Sequence, residues 1–166
     1  MTSTTNSNSK PPGAAVSTII KAGLLAGTLD ILSAFTYYYI KTERNPLNVL
    51  SYVSKVALGE TTFTNTGLQQ ASGLLVHFAI AFGWTILFFI LYPRLKWLQL
   101  NKFITAVVYG IFVWTMMNVL ILPLWNSKPF VYKGETSIIN CLILIVAIGL
   151  PLAFIAHSHY SKKENQ

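Results

Sequence analysis

Residues Thr18–Ile40 read TIIKAGLLAGTLDILSAFTYYYI, a run whose only carboxylate is Asp30 and whose only cation, Lys21, stands near its start. A helix of about twenty predominantly apolar residues is what a hydrocarbon layer of about 30 Å requires for a single crossing. Three further runs of this kind follow, Gly67–Tyr92, Phe103–Trp125 and Ser137–Ala156, and none of them holds an Asp or Glu. These four runs fill most of the 166 residues and leave no chain for a soluble core. The expected fold is therefore all-α: a polytopic membrane protein built as a four-transmembrane-helix bundle.

Composition agrees. The chain is 53% hydrophobic and 10% charged, against roughly 25% charged residues in soluble domains. Its polar residues gather at the two ends and in three connections, so a single membrane domain is expected over residues 16–160. Met1–Ala15, rich in Ser, Thr, Asn and Pro, reads as a disordered N-terminal tail, and residues 161–166 as a short cytoplasmic tail. The net charge of +7 comes from Lys and Arg beside the spans, where cations flank membranes. The lipid bilayer is thus the expected partner, and nucleic acid is not.

Those cations also set an orientation. Lys10, Lys21, Arg94, Lys96, Lys102, Lys162 and Lys163 fall on one side, and Lys41, Arg44, Lys55, Lys128 and Lys133 on the other. The excess, seven against five, places both termini in the cytoplasm, with the short Pro93-Arg94-Leu95-Lys96 turn as its firmest part. The first run ends in Tyr37-Tyr38-Tyr39-Ile40-Lys41 rather than in a small-residue cleavage site, as a retained signal-anchor would.

The first connection carries a pattern of its own. Asn45 can cap, Pro46 suits a first helical turn and Gly59 can end a helix. Leu47, Leu50, Val53, Ala57 and Leu58 recur at helical spacing between them. A short amphipathic helix between spans 1 and 2 is expected, lying on the membrane surface or packed on the end of the bundle.

Inside the bilayer a central Asp costs about 2.5–3.5 kcal/mol, so Asp30 needs protein around it. Gly23, Gly27, Asp30 and Ala34 share one helical face. The Gly23-Leu24-Leu25-Ala26-Gly27 motif permits close approach of a neighbouring helix, in the same chain or in a homo-oligomer. His77, as far into its span as Asp30 is from the end of the first, is the natural partner, and Gly73 shares its face. Asp30, His77 and Asn118 form the candidate intramembrane polar site; Asn118 is in phase with Gly110 and Trp114. Gly23, Gly27, Gly73 and Gly110 are expected to serve helix packing, with Pro151, beside Gly149, marking a kink in the last span. His157 and His159 are expected to be solvated at the interface. Cys141 reads as a small apolar filler. No CxxC or HExxH spacing occurs, so neither cofactor nor metal is expected, and no nucleophile–base set suggests an enzyme.

Three stretches carry a resemblance. They are Gly23-Leu24-Leu25-Ala26-Gly27; His77-Phe78 through Leu91-Tyr92-Pro93-Arg94-Leu95-Lys96 to Tyr109-Gly110 and Pro123-Leu124; and Gly149-Leu150-Pro151 leading into His157. In these the chain resembles uncharacterised bacterial multi-span membrane proteins and, more distantly, the YagU-like inner-membrane family. The resemblance implies a bundle in the bacterial inner membrane and transfers no catalytic or binding residue. The expected role is that of an integral membrane protein of undefined biochemistry whose polar residues pack helices. A small oligomeric transporter or proton-coupled permease using Asp30 and His77, with an unknown small-molecule substrate, is the alternative.

Overall fold

Four long helical rods, joined by three connections, make up the computed structural model, which describes residues 12–59, 64–126 and 131–164. The first rod is α1 (Pro12–Thr42). A short helix, α2 (Asn48–Leu58), separates it from the second rod, α3 (Thr66–Leu91). One turn, α4 (Trp97–Leu100), leads into the third rod: α5 (Lys102–Thr115), a π-helical turn (Met116–Ile121) and α6 (Leu122–Asn126). The fourth runs through α7 (Glu135–Leu144), a second π turn (Ile145–Gly149) and α8 (Leu150–Glu164). All four are long and apolar enough to cross a membrane, over Ala15–Thr42, Thr66–Leu91, Lys102–Leu124 and Glu135–Tyr160. The described residues contain no strand. This is the all-α four-span bundle expected of a multi-pass membrane protein.

Local chemistry sets most of the helix ends. The side-chain oxygen of Asn65 accepts from the amides of Gly67 and Leu68, and that of Asn101 from Phe103 and Ile104. Both satisfy donors that the first helical turn leaves free. Gly59 stops α2 with a positive φ of 97°. The expected start of α2 shifts: Asn45 opens a turn by accepting from the Leu47 amide, and the regular helix begins at Asn48.

The π turns share a cause. Each ends two residues before a proline, Pro123 and Pro151, in the sequence Leu-Pro-Leu. A proline ring clashes with the carbonyl four residues back and offers it no N–H. Widening one turn relieves the clash while keeping the rod continuous. The kink expected at Pro151 thus takes the form of a widened turn.

The rods pack antiparallel, α1 lying between α3 and the fourth rod while α5 lies along the fourth. Phe82 and Phe78 rings, with Ala81, cover Gly23 and Gly27, so the chain's own α3 packs on this face. Gly110 lies against the backbone of Ile145, and Gly149 against that of Ala106, so a Cβ at either would strike main chain. This reciprocal fit brings α5 onto the second π turn. Between α3 and α5 the filling is aromatic: Phe88 and Tyr109 rings meet at 4.6 Å, and the Tyr109 hydroxyl donates to the Trp84 carbonyl at 2.6 Å.

The short helix α2 does not lie free on a surface. Leu50 and Ser54 are buried against α3, the Leu50 backbone sits on Gly73, and Ser54 donates to Ser72, whose own hydroxyl donates to the Gln69 carbonyl. The α4 turn is equally tied in, with Leu98 buried, its carbonyl accepting from Thr105 and the Tyr92 carbonyl accepting from Gln99.

Candidate intramembrane polar site

Asp30 and His77 lie near the middle of the first and second spans. Their depth follows from the packing of Gly27 on Phe78 and Ala81, which sets the register of α1 against α3. His77 Nε2 donates to the Gly27 carbonyl at 2.9 Å. That bond fixes the ring's orientation and puts a proton on Nε2. The Phe78 ring and the imidazole form a T-shaped pair, with ring centroids 5.5 Å apart.

Asp30 stands one turn beyond Gly27 on the same face, within electrostatic reach of His77. The two do not share a hydrogen bond, because the imidazole N–H goes to the backbone. The arrangement is a through-space pair anchored by a histidine–carbonyl bond. Chemically it can hold two helices together, and it sets one carboxylate facing an imidazole at mid-membrane depth.

Asn118 is not brought to this pair. It sits on the first π turn, and its amide donates to the Trp114 carbonyl of its own rod at 3.0 Å. Asn140, on α7, is partly buried. Gly73, one turn from His77, is a contact point for α2, and Gly110 one for the fourth rod. Pro151 follows the second π turn on the side of the chain termini.

A second polar cluster, at the end of the bundle that carries both termini, departs from the sequence reading. His157 and His159 are partly buried and partnered there rather than solvated. The hydroxyl of Tyr92, 1% exposed, hydrogen-bonds with His157 Nδ1 at 3.3 Å. Tyr160 stacks on Tyr92 at 5.3 Å and donates to the Phe89 carbonyl. His159 meets Thr18 at 3.4 Å. The one available signal was spacing: His157 and Tyr160 are three apart on one face.

At the opposite end, the hydroxyls of Tyr37 on α1 and Ser51 on α2 are buried without a hydrogen-bond partner. No ordinary motif flags such atoms. Among the described residues no group of three His, Cys, Asp or Glu is placed to hold a metal ion. In comparison with known proteins, no family, curated protein or solved structure matches this chain.

Proposed function

We propose that this chain is a non-enzymatic integral membrane protein whose intramembrane polar residues serve chiefly to join its helices. One observation carries the reading: the deepest histidine spends its N–H on the Gly27 backbone of the neighbouring span, at 2.9 Å. Hydrogen bonds of this kind between spans contribute about 0.6–2 kcal/mol each. We place the protein in the bacterial inner membrane with both termini in the cytoplasm; the cation excess beside the terminus-side connections and the resemblance to bacterial inner-membrane proteins support this.

A second reading, a small proton-coupled permease, is favoured by Asp30 alone. A carboxylate at mid-span and facing an imidazole is where proton relays are found. Asp30→Asn and His77→Gln, made separately and together, separate the two. The packing reading expects the His77 change to lower the melting temperature in nanodiscs while proteoliposomes show no pH-driven flux in parent or variant. Flux in the parent that disappears in folded Asp30→Asn would overturn it in favour of the permease.

A further inference from the structure

The third and fourth rods touch main chain to side chain and main chain where Gly110 meets Ile145. On the far side of that contact from the termini, a cleft of about 350 Å³ opens between them. Ile111 and Trp114 line one wall, Cys141, Leu142 and Ile145 the other, and Tyr132 stands at its mouth. Ile111, Leu142 and Tyr132 are also exposed on the outside of the bundle, so the cleft opens sideways, toward lipid. The hydroxyl of Ser137, in the same wall, already accepts from the Lys133 amide at 3.0 Å, which leaves the lining apolar.

The cleft runs from the membrane interface to the middle of the bilayer. Its inner end, Ile145, lies ten residues after Glu135, where the fourth span begins. At 1.5 Å per residue that is about 15 Å, half of a hydrocarbon layer of about 30 Å and so the depth of one leaflet. Water does not settle in a cavity walled by apolar groups, and an empty one forfeits dispersion contacts along its walls. A helix from a second copy does not fit inside, since one turn, about 10 Å across and 5.4 Å long, takes up roughly 420 Å³. A hydrocarbon tail does. The mouth then sets the headgroup. Lys133, next to Tyr132, is exposed, and among the described residues its ammonium has no carboxylate partner; Glu135, two residues on, is paired with Lys41 at 3.5 Å.

We infer that this cleft binds one anionic phospholipid from the leaflet away from the termini. Its tail lodges between the third and fourth rods down to the Gly110–Ile145 contact, and its phosphate meets Lys133. A tail finds surroundings just as apolar in the bilayer, so the walls alone select no lipid. The cation at the mouth supplies the preference, a factor of about five for one lysine beside an anionic headgroup. This goes beyond the joining role of the polar residues and stands apart from it, because the His77–Gly27 bond lies between the first and second rods. Melting of the His77 variants decides that role, and lipid contact decides this one.

Trp114 reports on the cleft. With Trp84, Trp97 and Trp125 replaced by Phe it is the only tryptophan, and lipids brominated along the tail quench it on contact. Should that triple replacement not fold, the quenching lost from the parent on Trp114→Phe measures the same contact. Nanodiscs of zwitterionic lipid receive a small fraction of brominated phosphatidylglycerol or, in parallel, brominated phosphatidylcholine. The anionic lipid should quench Trp114 about fivefold more effectively, and Lys133→Gln should abolish the difference. A sole tryptophan introduced by Leu75→Trp, at a position 74% exposed on α3 and outside the cleft, should be quenched by both lipids alike. Cys141→Phe, which fills the cleft, should lower the quenching of Trp114 by both. Lys133→Gln changes an exposed side chain, so the charge comparison stands whether or not Cys141→Phe folds. Equal quenching of Trp114 by the two lipids, or a preference that survives Lys133→Gln, overturns the inference. So does an oxidative Cys141–Cys141 cross-link between copies, which would put a second chain over the cleft.

Discussion

The bond from His77 to Gly27 rests on a side chain at one end and on backbone at the other, so only His77 can be removed by substitution. His77→Leu should cost about 0.6–2 kcal/mol, and His77→Gln less, because its amide retains a donor. Thermal unfolding in nanodiscs reads the order of the two. Gly73 tests a different contact. In Gly73→Val the new side chain strikes the Leu50 main chain, which cannot rotate away as a side chain does. A loss of about 1–3 kcal/mol is expected, with proteolysis newly cutting within α2. The Lys41–Glu135 ion pair, at 3.5 Å with Glu135 74% exposed, should matter little. Glu135→Ala should melt within about 0.5 kcal/mol of the parent. At this scale the sequence is informative about depth but not about bonding. Counting from the span ends puts Asp30 and His77 level. The imidazole's choice of the Gly27 carbonyl over the carboxylate depends on how each helix is rotated about its axis, which counting does not fix. Asn118 shows the same limit: its phase was readable, its bond back to Trp114 was not.

Elements were legible where a residue forces the backbone. Gly59 and Pro151, read from the sequence as an end and a distortion, lie at one each; Asn65, Asn101 and Pro123, which that reading did not single out, act in the same way. The form of the distortion was hidden, because a proline in a membrane helix can be met by a bend, a water or a widened turn. A π turn is one residue more than a regular helix needs, and this gives a sharp expectation. Deleting Val146, which lies in the second π turn and faces outward, should restore an even ladder and keep both flanking segments in register. Deleting Ala153 from regular α8 should swing everything after it by about 100° and separate Phe154 from Phe103. Thermal melting of the two deletions, with cross-linking between cysteines at Phe103 and Phe154, distinguishes them. The packing of α2 on α3 was half legible: its amphipathic pattern showed a helix, while the use of Gly73 as a backbone contact required the tertiary register.

Across the whole molecule, four hydrophobic runs of spanning length were enough to specify the architecture, since no other fold satisfies their backbone in lipid. The place of the main apolar core, around Ala26, Phe88, Tyr92, Tyr109, Leu152 and Ala156 on the side of the termini, was not legible, because every run is predominantly apolar along its length and only the packing shows which residues meet. Amide hydrogen exchange in nanodiscs should reveal it. Ser33–Tyr39, Met116–Ile121 and Thr136–Leu142 should exchange faster than Phe88–Leu91, Ala106–Val113 and Ile148–Ala156; equal rates would argue for a uniformly packed interior. The meeting of Thr18 with His159 carries a practical warning for imaging this protein in cells. The first and last rods begin and finish side by side, so complementary fragments of a split reporter fused to the two ends of one polypeptide would reassemble within it. Fluorescence from such a fusion would report the proximity of its own ends and say nothing about dimers.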